Sequence, residues 1–377
     1  MRYYKKLNYL ILFIYLFPLY TILYSQEKKE NIHIYKSPKY QNVKFVNLEE
    51  LHKIDLNVYI DYYISRIRSM DSDNNLNLYI VDKSKSSINI FDKNGKFIKT
   101  IGRAGQGPGD LEDVSWITIH NEKIYIYQNF KGMKVWDLQG KYIDYYRIPI
   151  GNYMIFKIAN GYFYTIQFKG VDTPEKQHYI LKKYNYNFTE SKELFECIFL
   201  ALIENGIRTL SNLSYNCNFA VDNNGNVYYP DNLDEYKINV FSADGNIINT
   251  FGRVYKRIPK SKTVMKILDE TYYEPARKAN FPLPKIKFSK YPPIIRQIMI
   301  DDKNSYIWVV VGEYSGDTFE KIKTETTIDI YSYIGEYLYT FKFPYISLVS
   351  FIKNGRLYST PTEDDLYIRV FQIHYNK

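Results

Sequence analysis

Two cysteines and five scattered histidines in 377 residues leave no disulfide framework and no zinc site built on both residue types. The chain has no G-x-S-x-G elbow, no H-E-x-x-H helix and no glycine loop completed by Lys-Ser/Thr. An elbow hydrolase, a zincin and a P-loop NTPase are thereby set aside. Only one apolar run, at the N-terminus, approaches membrane length. Tryptophan is scarce at three residues, but 41 Tyr and 22 Phe bring the aromatic share to 18%. Broad flat side chains suit strands. An AT-rich genome produces the same excess, so the count does not decide for sheet by itself. The apolar share of 45% and charged share of 24% are ordinary for a chain with a core. Cys197 and Cys217 could pair in an oxidising compartment or stand as two small buried hydrophobes.

The N-terminus reads as an export signal. Arg2, Lys5 and Lys6 precede the apolar stretch Leu7–Tyr24, and small Ser25 precedes a polar segment. Cleavage after Ser25 leaves Gln26 first; retention of residues 1–25 would make an N-terminal anchor instead. No cysteine near the boundary offers a lipid attachment point. The whole chain carries +9. The signal holds three of the 50 basic residues and no acid, so the mature chain has 47 basic against 41 acidic residues, a net +6.

Internal repeats organise the rest. Ile90-Phe-Asp-Lys-Asn-Gly-Lys-Phe-Ile-Lys-Thr-Ile-Gly-Arg103 aligns without a gap to Val240-Phe-Ser-Ala-Asp-Gly-Asn-Ile-Ile-Asn-Thr-Phe-Gly-Arg253. Both read as strand, turn, strand. Asn94–Gly95 and Asp244–Gly245 predict two-residue hairpins with both central residues at positive φ. Weaker copies are centred on Val135–Tyr142, Leu181–Phe188, Ile330–Tyr337 and Ile368–Phe371. With a short apolar strand opening each unit, the pattern is four strands repeated six times, as in propeller blades. The sixth unit lacks its outer strand. The segment Gln41–Leu56, with Val43–Val46 as the best candidate, is expected to supply it by pairing with Ile368–Ile373. The expected organisation is a signal peptide at 1–25, a linker at 26–40 and an all-β, six-bladed propeller of four-stranded antiparallel blades at 41–377. A basic, proline-rich, partly helical insertion at 254–293 separates blades four and five, with Ser261 as a helix cap. From Val254 to Gln297 eleven basic residues stand against three acidic ones, more net charge than the whole mature chain.

The loop Ile101-Gly-Arg-Ala-Gly-Gln-Gly-Pro-Gly-Asp-Leu111 could offer backbone N–H groups to a phosphate. It opens onto a strand rather than a helix, which favours a tight crossover between blades. Its Gly105-Gln-Gly-Pro-Gly109 phrase, following the Phe91-Asp92…Gly95-Lys96 hairpin, resembles secreted six-bladed propellers of Bacteroidota, which are similar to NHL-repeat proteins. The resemblance covers roughly residues 40–377. It implies a propeller fold and an envelope or secreted location: periplasm, outer surface or extracellular space. It implies no reaction. Many members resemble lipoproteins, from which this chain departs by lacking the lipid-accepting cysteine.

Six-bladed lactonases and lyases hold a metal in the central channel, with ligands on the innermost strands. The corresponding positions here are Arg66, Arg68, Ser115, His120, Lys157, Asn218, Arg296 and Gln297, a set poor in carboxylates. Calcium in the central channel is the one cofactor left open, although it would call for more oxygen donors than these positions supply. The expected function is therefore an exported, non-enzymatic binding module using one face of the disc, without a cofactor. A metal-dependent hydrolase or lyase is the alternative. Candidate ligand contacts are Lys260, Lys262, Lys266, Tyr272 and Tyr273 of the insertion, with Arg68 and Arg296 on inner strands. The expected partner is an acidic protein surface or an anionic glycan or lipid surface. Nucleic acid is not expected outside the cell. The chain is not an integral membrane protein unless its signal is retained.

Overall fold

The computed structural model describes residues 32–56, 64, 67–129, 131–148, 153–173, 176–200, 202–204, 207–210, 219–230, 235–272, 286–288, 290–312, 326–344, 346–347, 349–360 and 367–376. The segment 1–25, read above as an export signal, lies outside them.

Alternating apolar and polar residues between short turns give six four-stranded sheets. Blade 1 is Ile67–Ser72, Leu78–Asp82, Ser87–Phe91 and Phe97–Ile101, and blade 2 is Val114–His120, Lys123–Gln128, Gly132–Asp137 and Tyr142–Tyr146. Blade 3 has the longest strands: Tyr153–Ala159, Tyr162–Thr173, Lys176–Tyr184 and Ser191–Leu200. Blade 4 is Ala220–Val221, Val227–Pro230, Lys237–Phe241 and Ile247–Arg253. Blade 5 is Ile295–Asp301, Tyr306–Val311, Thr326–Ser332 and Tyr337–Phe343. Blade 6 takes Phe351–Lys353, Arg356–Ser359 and Tyr367–Tyr375 from the C-terminus and Val46–Asp55 from the N-terminus. The first strand of each blade touches the first strand of the next, from blade 1 round to blade 6 and back. Those strands line the axis. One buried apolar cluster fills each of the six gaps between neighbouring blades.

The N-terminus closes the ring as expected, a few residues further along than Val43–Val46. Val46 pairs with Tyr375 and the antiparallel register runs to Asp55 opposite Tyr367. Val43 is exposed, and Phe45 is 2% exposed between blades 5 and 6. The segment also covers two further edges. Ile32–Tyr35, within the stretch read as linker, adds a parallel fifth strand to blade 4. The N–H groups of Lys39 and Tyr40 then donate to the carbonyls of Tyr337 and Leu338 on the outer strand of blade 5 (3.0 and 2.9 Å).

The Asn94–Gly95 and Asp244–Gly245 hairpins differ from the expected turn. Only Gly95 (φ 83°) and Gly245 (φ 88°) of each pair lie at positive φ. Gly95 N–H donates to the Asp92 carbonyl (2.9 Å), and the register slips between Ile90 and Phe91. This is a longer turn closed by a glycine bulge. The Asp92 carboxylate selects it by accepting from the N–H groups of Asn94 (2.9 Å) and Lys96 (2.8 Å). Turns with two positive φ angles occur instead between the first two strands of blades 2, 3 and 6, at Asn121–Glu122, Asn160–Gly161 and Asn354–Gly355.

Two arginines that the repeat aligns end differently. Arg103 is exposed and pairs with Asp110 (2.8 Å) across the glycine-rich loop. Arg253 pairs with Asp329 (2.6 Å), whose side chain is fully buried between blades 4 and 5. Tyr236 and Tyr337 donate hydroxyls to the same carboxylate (2.6 and 2.9 Å), and the Arg253 guanidinium lies 4.8 Å from the Tyr236 ring and 5.0 Å from the Tyr255 ring.

The insertion is partly helical. Ser261 caps Lys262–Tyr272, its hydroxyl accepting from Val264 N–H (3.1 Å). Ile286–Phe288 pairs in parallel with Ile207–Leu210, itself paired with Leu202–Glu204, so the insertion joins the excursion that precedes blade 4. Lys260 is not a surface lysine: it is 6% exposed, and burial pushes its ammonium down to about 8. Cys197 is a buried free thiol that burial raises to about 12; Cys217 lies outside the described residues.

Deleting residues 26–56 strips the outer strand from blade 6, and the melting temperature should fall by on the order of 10 °C in a thermal scan. Asp329→Asn leaves the Arg253 charge buried without its counter-ion, and chemical denaturation should show a loss of about 3–5 kcal/mol. The folded state holds the Lys260 proton less tightly than the unfolded chain. Its burial cost is therefore present below pH 8 and is relieved as pH rises toward 10.5. Lys260→Met should exceed wild-type stability by on the order of 2 kcal/mol at pH 7, after discounting for solvent screening. That margin should vanish near the unfolded-state value.

Candidate functional site

The first strand of each blade starts at the face where the crossovers arrive and ends at the opposite face. At that opposite face, the turns leading to the second strands surround a cavity of about 620 Å³ over the channel. Five asparagines line it from four blades: Asn74 and Asn75 on blade 1, Asn121 on blade 2, Asn223 on blade 4 and Asn354 on blade 6, together with Asp302 and Lys303 of blade 5. All five amides are exposed.

Hydrogen bonds between turns fix the rim. Asn354 Nδ2 donates to the Asp73 carbonyl (3.2 Å), and the Asp302 carboxylate accepts from Asn223 N–H (3.0 Å) and the Tyr333 hydroxyl (2.7 Å). Two turns are repeats of one device. Asp73 accepts from Asn77 and Tyr79, and Asp222 accepts from Asn226 and Tyr228, through the same side-chain atoms at 2.8–3.1 Å. The sequence Asp-x-x-x-Asn-x-Tyr at 73–79 and 222–228 encodes it.

Below the rim sits Asp71 of blade 1. One carboxylate oxygen accepts from Ile119 N–H of blade 2 (2.6 Å); the other accepts from Ser72 N–H (2.8 Å) and Lys353 Nζ of blade 6 (2.9 Å). Lys353 also donates to the Ile119 carbonyl (3.0 Å). Burial, then the nearby Lys353, lowers the His120 imidazole, with Asp71 opposing. Lys157 of blade 3 is half-buried, its ammonium 5.4 Å from the Trp116 ring. Burial lowers it, Asp71 opposes and Lys353 adds to the lowering.

The other inner-strand candidates stand nearer the crossover face. In blades 1, 2 and 5 the inner strand is bulged in its first half, and the extra residues are Arg68, Ser115 and Arg296. Bulges re-aim side chains. Arg68 is exposed, Ser115 bonds Asn129, and Arg296 donates to the Ile346 carbonyl (2.9 Å). Gln297 is buried and donates to the Ser350 carbonyl (2.7 Å). Arg66 and Asn218 lie outside the described residues. On the insertion, Lys262 and Lys266 are exposed, with Lys266 3.5 Å from Glu270. Tyr272 ends the helix, and Tyr273 lies outside the described residues. Among the described residues no three His, Cys, Asp or Glu side chains are grouped to hold a metal ion.

The glycine-rich loop satisfies itself. The Asp110 carboxylate accepts from Arg103 (2.8 Å) and Gly107 N–H (3.0 Å), and fully buried Leu111 anchors the end of the loop. It serves as a crossover. The residues that sequence reasoning missed are the mouth asparagines, Asp302 and Lys353. Their signal was the turn chemistry after each first strand.

No curated protein matches the sequence. The fold is similar to that of a DUF4221-family protein from Bacteroides vulgatus, 15% identical, with a TM-score of 0.54 over 88% of this chain and 99% of that one. It is also similar to a protein from Bacteroides fragilis named as an exported protein, 12% identical, with a TM-score of 0.52 over 92% of this chain and 100% of that one. At those identities the likeness is one of fold. A family model described as a six-bladed β-propeller matches residues 24–291, well over half of the chain. Six blades around one axis and that match together place the chain in the DUF5128 family of six-bladed β-propellers.

Proposed function

We propose that the chain is an exported, non-enzymatic binding module that takes a small polar ligand into the channel mouth opposite the crossovers. The observation that carries this reading is the cavity of about 620 Å³ rimmed by exposed amides from four blades. Its volume suits a small molecule. Each amide offers a donor and an acceptor on a turn held by the ring, so little order is lost on binding. The N-terminal segment read as an export signal, the resemblance to secreted Bacteroidota propellers and the Bacteroides fragilis protein named as an exported protein support this location. No described helix is long and apolar enough to cross a membrane.

The alternative of a metal-dependent hydrolase or lyase needs several free donors aimed at one point. Asp71 is already engaged by two N–H groups and Lys353, and Asp302 by Tyr333 and Asn223. That donor set does not suit calcium or zinc. On the crossover side, exposed Lys262 and Lys266 would add a salt-sensitive contact with an anionic glycan, lipid surface or acidic protein.

Asn75→Trp and Asn223→Trp should obstruct the mouth while leaving the melting temperature within about 2 °C of wild type, as expected for surface positions. Ligand-observed NMR with neutral sugars, sugar acids and dipeptides should give saturation transfer from wild type and none from the obstructed variants. Equal transfer from both would place binding elsewhere.

A further inference from the structure

Besides His120, the mouth is lined by the ionisable side chains of Asp73, Glu122, Asp302, Lys303 and Lys353. Two of these are already engaged. The Asp73 carboxylate accepts from Asn77 and Tyr79 (2.8–3.1 Å), and Lys353 Nζ donates to Asp71 and to the Ile119 carbonyl (2.9 and 3.0 Å). Glu122 of blade 2 and Asp302 and Lys303 of blade 5 remain, and all three are exposed. The side chains of Glu122 and Lys303 have no hydrogen-bond or ion-pair partner among the described residues.

Asp302 and Lys303 are neighbours in sequence, yet they do not pair. Asp302 Oδ1 accepts both the Asn223 N–H (3.0 Å) and the Tyr333 hydroxyl (2.7 Å). The first of these holds the carboxylate toward blade 4, and Oδ2 has no partner among the described residues. Lys303 leans the other way, over blade 6. A Cβ placed at Gly355 would fall 2.8 Å from Lys303 Cδ, so the glycine leaves room for the lysine stem. One turn thus presents an anion and a cation side by side and unpaired.

Glu122 stands on the opposite side of the ring, because blades 2 and 5 are three steps apart in a circle of six. It occupies a left-handed position (φ 56°) in the turn Asn121–Glu122. The corresponding turns of blades 3 and 6, Asn160–Gly161 and Asn354–Gly355, have glycine there. Glycine adopts that conformation without the steric cost a side chain incurs. A glutamate without a protein partner therefore lines the cavity at a position where folding favours glycine. Costly backbone conformations concentrate at ligand sites.

We propose that the mouth binds a basic amino acid. The ligand's side-chain cation pairs with Glu122, and its α-ammonium and α-carboxylate pair with Asp302 and Lys303 on the opposite side. Two anions and one cation of the protein then meet two cations and one anion of the ligand. The amides between them serve as further donors and acceptors. This rests on the mouth being the binding site. L-lysine and L-arginine share that chemistry.

Both are the probes. Cadaverine is lysine without its carboxylate, and 6-aminohexanoate is lysine without its α-ammonium. Titration calorimetry on the mature chain should show L-lysine or L-arginine binding about ten- to a hundredfold more tightly than either control, the advantage of one charge-assisted contact. The tighter of the two identifies the side-chain cation. Lys303→Met should remove the advantage over cadaverine. Asp302→Asn keeps an acceptor for Asn223 and Tyr333 and should remove the advantage over 6-aminohexanoate. Glu122→Gly should weaken binding about tenfold or more while raising the melting temperature by about 2 °C, because glycine suits the turn. The proposal is overturned if wild type binds the amino acids and the controls alike, or if Glu122→Gly binds them as tightly as wild type does. If all four probes bind alike and Asn75→Trp abolishes that binding, the mouth stands as the site while the amino-acid seat falls. The same holds if none of the four binds at millimolar concentration but a neutral sugar binds and Asn75→Trp blocks it. If binding of every ligand survives in Asn75→Trp, both fall.

Discussion

A ring of sheets has no free edge at its centre only while every inner strand touches two others. Here that ring depends on one pairing, Val46–Asp55 against Tyr367–Tyr375, which joins the two ends of the chain. Each apolar cluster is shared by two blades, so no blade owns a complete core. Phe45 and Val46 belong to the cluster between blades 5 and 6, and Ile54 and Leu56 to the one between blades 6 and 1. The single N-terminal strand therefore serves two of the six interfaces. Losing it opens a wedge on both sides of blade 6, a much larger penalty than one unpaired ladder.

The same closure brings distant residues into one polar network. Asp71 and Lys353 are 282 positions apart, yet they meet at 2.9 Å because blades 1 and 6 are neighbours in the ring. Ile119 supplies both an N–H and a carbonyl to that pair, so blade 2 is tied in as well. Charges here have fixed positions because backbone groups hold them. A fixed, imperfectly neutralised set of charges is what a rigid scaffold can offer a ligand without moving.

Much of this was legible in the sequence. The gapless repeat of 90–103 on 240–253 and the apolar strand opening each unit encode six blades, and the absent last strand of unit six points to closure from the N-terminus. The misreadings came from side chains overruling backbone rules. Asn94–Gly95 looked like a two-residue turn, but the Asp92 carboxylate draws two N–H groups into a longer one. Lys260 looked like a surface charge because its neighbours are basic, but the fold buries it. Arg103 and Arg253 occupy equivalent repeat positions, and nothing local says that only the second meets Asp329. Lys157 was found as an inner-strand residue, but its meeting with the Trp116 ring depends on the neighbouring blade.

The mouth asparagines divide into two groups by backbone conformation. Asn121 (φ 47°) and Asn354 (φ 54°) sit in the left-handed region, which asparagine tolerates better than most residues, so the turn itself accounts for them. Asn74, Asn75 and Asn223 do not lie at positive φ; the left-handed positions of their loops are taken by Leu76 (φ 67°) and Gly225 (φ 83°). A turn accepts most residues at such positions. Folding therefore does not require amides at 74, 75 and 223, and all three are exposed toward the cavity. The amides that the backbone does not need are those best explained by contact with something entering the mouth.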